Sequence, residues 1–348
     1  MKKLPVKILL VLILLFLVSC DSNIGTQDLA ESRETPKQPA AQESTPMIVQ
    51  SQPNPPAEEI PAYITIGDMQ FSTSLTELNL DLISWNLTNV DIAQLRYMVN
   101  LIRLYSGWND QITDISPLAG LANLEGLFLE WNQISDITPL AGLENLTELE
   151  LNWAKINDIS PLSRLVNLTH LELGANQIND ITPLSELTNL TRLVLSSNQI
   201  IDLTPLSELT SLSHLNFGEN LISNLTSLEG LENLTHLFLP FNQISDLTPL
   251  EGLANLQLFV SHDNHISDLT PLAGLANLSY LSLDDNQISD LTPLAGLMNL
   301  SALGLMRNQI SDLEPLAGLA NLSQLGLNGN PVTDWSPVAH VEWVTGRP

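Results

Sequence analysis

The sequence predicts an α/β fold of the solenoid kind, a curved right-handed superhelix with a concave parallel β-sheet and convex 3-10 turns. Three observations carry this expectation. A 22-residue unit returns ten times without slippage, each unit opens on an alternating pair of the Leu-x-Leu type, and most then carry an Asn followed by an Asp-x-Thr-Pro turn. The pairs fix the period: Leu127/Leu129, Leu149/Leu151, Leu171/Leu173, Leu193/Leu195, Leu215/Phe217, Leu237/Leu239, Phe259/Ser261, Leu281/Leu283, Leu303/Leu305 and Leu325/Leu327. Two looser copies, Leu78/Leu80 and Leu104/Ser106, precede them and bring the total to about twelve coils.

Each part of the unit has a physical reading. Leu127-Phe128-Leu129 alternates inward and outward as a short strand does. Asn132 recurs as Asn176, Asn198, Asn220, Asn242, Asn264, Asn286, Asn308 and Asn330. A buried amide in each coil can bond the backbone groups that a bend leaves unpaired, so the coils are expected to stack through an Asn ladder. Thr138 before Pro139 is expected to N-cap a helical turn, and the few residues left before the next strand suit a 3-10 turn. The Asp column (Asp114, Asp136, Asp158, Asp180 and onward) reads as capping amides at that turn rather than as a calcium array, because the Gly-Gly-x-Gly-x-Asp repeat is absent. Ser261 stands where an inward Leu is due, and a local distortion is expected there.

The pattern L-x-x-L-x-L-x-x-N is that of the leucine-rich repeat, and copies such as "NQISDLTPLAGLANL" resemble the internalin subclass of bacterial surface proteins. The resemblance is close over Leu101–Asn330. There are three departures: no LPxTG tail, no immunoglobulin-like domain after the repeats, and no all-helical cap before them. Anchoring is therefore expected from the other end. Lys2, Lys3 and Lys7 precede the apolar run Ile8–Val18, and "LVSC" ends at the lone cysteine, Cys20. That run is too short for a membrane span and reads as a signal-peptide core. Its ending resembles the bacterial lipobox, which implies cleavage before Cys20 and lipidation of its thiol.

The expected organisation is a lipoprotein signal peptide at 1–19 and a disordered Pro/Gln/Ser-rich spacer at 20–60. An N-terminal cap with a first irregular repeat follows at 61–100, then leucine-rich repeats at 101–330 and a C-terminal cap at 331–348. "YITIGDMQF" (Tyr63–Phe71) suggests a hairpin with Gly67-Asp68 at its turn. At the far end Trp335 and Trp343 are expected to cover the last coil. The location implied is the bacterial cell envelope, extracytoplasmic and held to a membrane by an N-terminal lipid.

Acids outnumber bases 39 to 12, for a net charge of −27. Such a surface repels nucleic acid and suits a basic partner. No phosphate loop, zincin helix, nucleophile elbow or cysteine nucleophile of the mature fold is present, so no enzyme and no cofactor are expected.

Function is then expected on the variable positions of the concave face. The residue preceding the Asn position runs Trp108, Trp131, Trp153, Ala175, Ser197, Glu219, Phe241, Asp263, Asp285, Arg307, Gly329. Three tryptophans on successive coils, with Tyr105 and Phe128 beside them and Glu148, Glu150 and Glu172 at the margin, have the composition of a binding hot spot. The alternative within the fold is that these rings pack together and shield the first coils. Arg192, His170, His214, His236, Phe238, Phe241 and Tyr280 extend the face, with His262 near them. His214 with His236, or His262 with Asp263 and His265, are weak metal candidates beside the simpler reading of a solvated sheet face. The ligand expected is a protein. The alternative is a glycan or the cell wall, with sugar rings on the tryptophan column.

Overall fold

The computed structural model describes residues 59–80 and 86–347. The signal peptide, Cys20 and nearly all of the spacer lie outside the described residues. Within the described part, thirteen parallel strands run in sequence order from β3 (Glu77–Asn79) to β15 (Trp343–Thr345). Each pairs in register with the next, as in Leu104↔Leu127 and Leu127↔Leu149. The return path of each regular coil is a single 3-10 turn such as Thr138–Leu140. The fold is thus a leucine-rich repeat solenoid.

The alternation is visible in burial. Leu124, Leu127, Leu129, Ile134, Ile137, Leu140 and Leu143 are all at most 2% exposed, and the same seven positions are buried coil after coil. Each such side chain contributes about 1.5–3 kcal/mol on leaving water, so a coil is held by its apolar layer before any polar contact is considered.

Three polar ladders then fix the coils on one another. In the first, the Asn amide donates to carbonyls of its own coil and of the coil before, and its oxygen accepts from the preceding coil. Asn220 Nδ2 reaches Leu195 O and Phe217 O at 3.0 and 3.1 Å, and Asn220 Oδ1 receives the Ile200 amide at 2.9 Å. The second uses the Asn of the "NLT" and "NLS" triplets, including Asn145 and Asn277, each donating to a carbonyl one coil back at 2.8 to 2.9 Å. The third is a hydroxyl ladder, Thr169 to Thr147 O and Thr191 to Thr169 O, at 3.0 and 3.1 Å. Because an extended coil this short has few internal backbone bonds, carbonyls at its bends depend on these side chains.

The turn keeps the expected Asp cap but not the expected Thr N-cap. Thr138 is the first residue of the 3-10 turn, and the group that satisfies its amide is Asp136 Oδ1, at 2.8 Å. The same bond recurs at Asp180, Asp246, Asp268 and Asp290. The Thr138 hydroxyl and amide hold the Asp136 carboxyl below its ordinary range, which is what a capping carboxylate shows.

Both ends differ in detail as well. The hairpin of β1 (Tyr63–Ile66) and β2 (Met69–Ser72) forms with Gly67 at φ +56°, and Ile64 and Ile66 enter the core. A short helix, α1 (Asn89–Ile92), and a 3-10 segment, Ala93–Tyr97, come after β3 and are not among the expectations, although Thr88 and Asp91 form a capping box at the helix start. At the other end the chain completes one more coil, because Trp343–Thr345 pairs with Gln324–Gly326. Trp335 packs on the core, but Trp343 is 67% exposed. It occupies the outward position opposite Gln324, so Val338, Val341 and Val344 close the core instead. Nor is the Phe259/Ser261 coil distorted. Ser261 is fully buried, keeps its ladder bond to Ser282 O at 2.9 Å, and its hydroxyl accepts from Asn264 at 3.1 Å.

Candidate functional site

The tryptophan column sits just past the strand ends, where the backbone takes a left-handed turn. Trp108, Trp131 and Trp153 have φ of 59°, 58° and 58°, and every later member of the column through Gly329 is positive as well. Their amides still continue the sheet ladder, as Trp131 N–H donates to Asn152 O at 2.9 Å. Such a position favours Gly, Asn or Asp, and a bulky residue there is strained. The backbone therefore does not explain the tryptophans.

The core does not explain them either. The indoles stack on one another with ring centroids 4.8 and 4.4 Å apart and planes within 13°. They remain 56%, 38% and 53% exposed and take no part in the apolar core. Tyr105 and Phe128 make a second stack on the neighbouring strands, at 4.5 Å. Five of the expected site residues thus form two aromatic stacks on three successive coils, the tryptophans exposed and Tyr105 and Phe128 half-buried.

Acidic side chains border that group. Arg103 donates twice to Glu148, at 3.0 Å each, reaching across the intervening strand. Gly126 lies under that bridge, and a Cβ there would meet Phe128 at 3.0 Å and Arg103 at 3.3 Å. Glu172 pairs with Arg192 at 2.8 Å and accepts from Asn152 at 3.0 Å. Burial first, and then repulsion from Glu172 and Glu130, push the Glu150 carboxyl up to about 7. A carboxyl raised this far marks a crowded, partly desolvated acidic margin.

The Asn ladder is interrupted beneath these rings. Ala154 takes the ladder position beside Trp153, and the buried Asn132 Oδ1 and Ser106 Oγ have no hydrogen-bond partner. The local stacking of coils here gives up polar contacts that the later coils keep.

The remaining expected residues fall into separate groups. His214 and His236 stack face to face at 4.2 Å, each Nδ1 bonded to the preceding hydroxyl at 2.9 Å. Their in-plane lone pairs run side by side and do not converge on one ion. Burial lowers both pKa values, with mutual repulsion adding to the effect at His214. His170 is exposed and bonded to Thr169, while Phe238 shares the strand face with His236. Phe241 meets His262 edge-on at 4.9 Å. His262 is buried and tied to Asp263 at 2.8 Å, whereas His265 points to solvent, so these three do not form a ligand set. Among the described residues no cluster of three His, Cys, Asp or Glu could hold a metal. Tyr280 lies apart, beside Asp284, whose carboxyl is raised by burial.

A family model for Leucine Rich repeats (2 copies) matches residues 188–230, 232–274 and 257–296. The fold resembles an internalin (inlF) from Listeria monocytogenes str. 4b F2365 at 32% identity and a TM-score of 0.71, covering 81% of this chain and 91% of that one. A second internalin of that strain, C2 (inlC2), is 40% identical with a TM-score of 0.51, over 53% of this chain and 83% of that one. The leucine-rich repeat protein LIC12759 of Leptospira interrogans is 25% identical with a TM-score of 0.62, over 72% and 74%. No curated protein matches the sequence. The chain belongs to the leucine-rich repeat family, with repeats of the internalin type.

Proposed function

We propose that this is a lipid-anchored bacterial surface protein whose concave sheet face binds another protein without catalysis. The observation that carries the proposal is the exposed stack of Trp108, Trp131 and Trp153, which neither the backbone nor the core requires. Large aromatic side chains held rigid by one another supply contact area with little entropy left to lose. The Glu148, Glu150 and Glu172 margin and the net charge of −27 favour a basic partner. The glycan alternative needs open ring faces; both faces of Trp131 are covered, which leaves it the outer face of Trp153 beyond the stack. No helix among the described residues is long and apolar enough to cross a membrane, and the proposed anchor is the Cys20 lipid.

Protein and glycan panels probed with wild type and with the combined Trp108→Ala, Trp131→Ala and Trp153→Ala variant test the binding face. Loss of roughly tenfold or more in affinity for a protein hit, with the fold intact, is expected. Unchanged binding by a folded triple variant refutes it. Cys20→Ser is expected to release the protein or block its processing, and normal processing with detergent-requiring membrane association refutes the anchor.

A further inference from the structure

The tryptophan stack stops abruptly on one side. Each coil advances the column by about 4.8 Å, the spacing of neighbouring strands, which matches the ring-to-ring distance. The next stacking position beyond Trp153 therefore lies above Ala175, and the one after that above Ser197. Neither side chain reaches far enough to cover the indole, and among the described residues no ring stacks on that face of Trp153. The gap is not a backbone requirement. Ala175 and Ser197 have φ of 54° and 55°, like the tryptophans and Phe241, so the same conformation carries large rings elsewhere in the column.

The far side of the gap carries charge. Glu219 is exposed, and its Oε2 accepts from Ser197 Oγ at 2.9 Å. That bond draws the carboxylate back over the Ser197 coil, toward the tryptophans. Gly174, beside Ala175, sits tightly between Asn152 and Ser196, while Glu172 is close by but already engaged with Arg192. A group above Ala175 would thus have an indole face one coil away on one side and a carboxylate one coil away on the other.

We infer that this gap is an arginine socket: a guanidinium from the bound partner stacks on the open face of Trp153 above Ala175 and pairs with Glu219. The inference rests on the protein-binding reading and names the side chain that the partner must offer. A guanidinium is planar, so it continues a stack of planar groups, and its fork of donors fits a carboxylate. A lysine ammonium would gain the charge but not the stacking. A neutral ring would gain the stacking but leave Glu219 desolvated and unmatched.

Titration of the full-length chain with N-acetyl-arginine amide, read by tryptophan fluorescence, tests the socket. A saturable change is expected for wild type. The neutral isostere N-acetyl-citrulline amide and the ring-bearing N-acetyl-tyrosine amide are each expected to bind about fivefold or more weaker. Ala175→Trp, which extends the stack into the gap, is expected to abolish the response. Glu219→Gln is expected to weaken it about five- to tenfold, and its exposed position keeps the test open should the indole variant misfold. No saturable response, equal binding of either neutral probe, or an unchanged response in the two variants overturns the socket. If the triple tryptophan variant still loses its protein hit, only the arginine site has failed. If that variant binds normally, the binding face itself has failed.

Discussion

Replacing Asn220 with alanine tests how the coils are held. Its two N–H groups are shared among the Leu195, Phe217 and Gly218 carbonyls at 3.0 to 3.2 Å, its oxygen accepts from the Ile200 amide at 2.9 Å, and the residue is only 6% exposed. Three such bonds contribute about 1 kcal/mol each, and a buried N–H left without an acceptor adds a further penalty of similar size. The expected loss is about 3–5 kcal/mol. In a solenoid each coil contacts only its neighbours, so the loss should stay local. Urea unfolding gives the total, and hydrogen exchange locates it. The Ile200 amide should exchange more than about a hundredfold faster, with coils several repeats away unchanged. Ala154 supplies the reverse experiment, since Ala154→Asn restores the missing ladder residue and should stabilise by about 1 kcal/mol. A loss below about 1 kcal/mol for Asn220→Ala, or exchange raised evenly along the chain, would refute the ladder as the element that joins coils.

Two further outcomes follow from the margin of the aromatic group. Glu150 titrates at about 7 in the folded protein, above the ordinary range of an unfolded glutamate, so the native state holds the extra proton between those values. Stability should therefore fall as pH rises from about 4.5 to about 7, by roughly 1–2 kcal/mol once solvent screening of this half-buried group is allowed for. Glu150→Gln should melt with wild type at pH 5 and above it at pH 8, and equal melting at both would contradict the crowding argument. Gly126→Val places a branched side chain under the Arg103–Glu148 bridge. A double-mutant cycle on that pair should give about 0.5–1 kcal/mol of coupling with glycine present and nearly none with valine, and undiminished coupling would show that the pair does not need the gap.

What the sequence determined by itself was everything that repeats. A period of 22 residues sets the register of the strands from Gly126–Phe128 to Gln324–Gly326, because an inward Leu lost to the outer face would cost more than any polar contact returns. The Asn ladder was legible for the same reason, as was the capping role of Asp136, although the acceptor that caps is the aspartate and not Thr138. The tryptophans were legible as exceptions to the repeat, but their number and spacing could not tell packing from exposure.

Only the tertiary structure decided that question, because burial depends on what neighbouring coils place beside a ring. It showed Trp108, Trp131 and Trp153 stacked yet exposed on a left-handed backbone that has no use for them, and it moved Trp343 from the core to the surface. It also separated residues that the columns had grouped. His214 and His236 became a stacked pair, His262 went inside, and Gly126 and Glu219, unremarkable as letters, acquired roles through the side chains one coil away. Positions within a coil follow from the period of the chain, whereas contacts between coils follow from side-chain reach, which no period encodes.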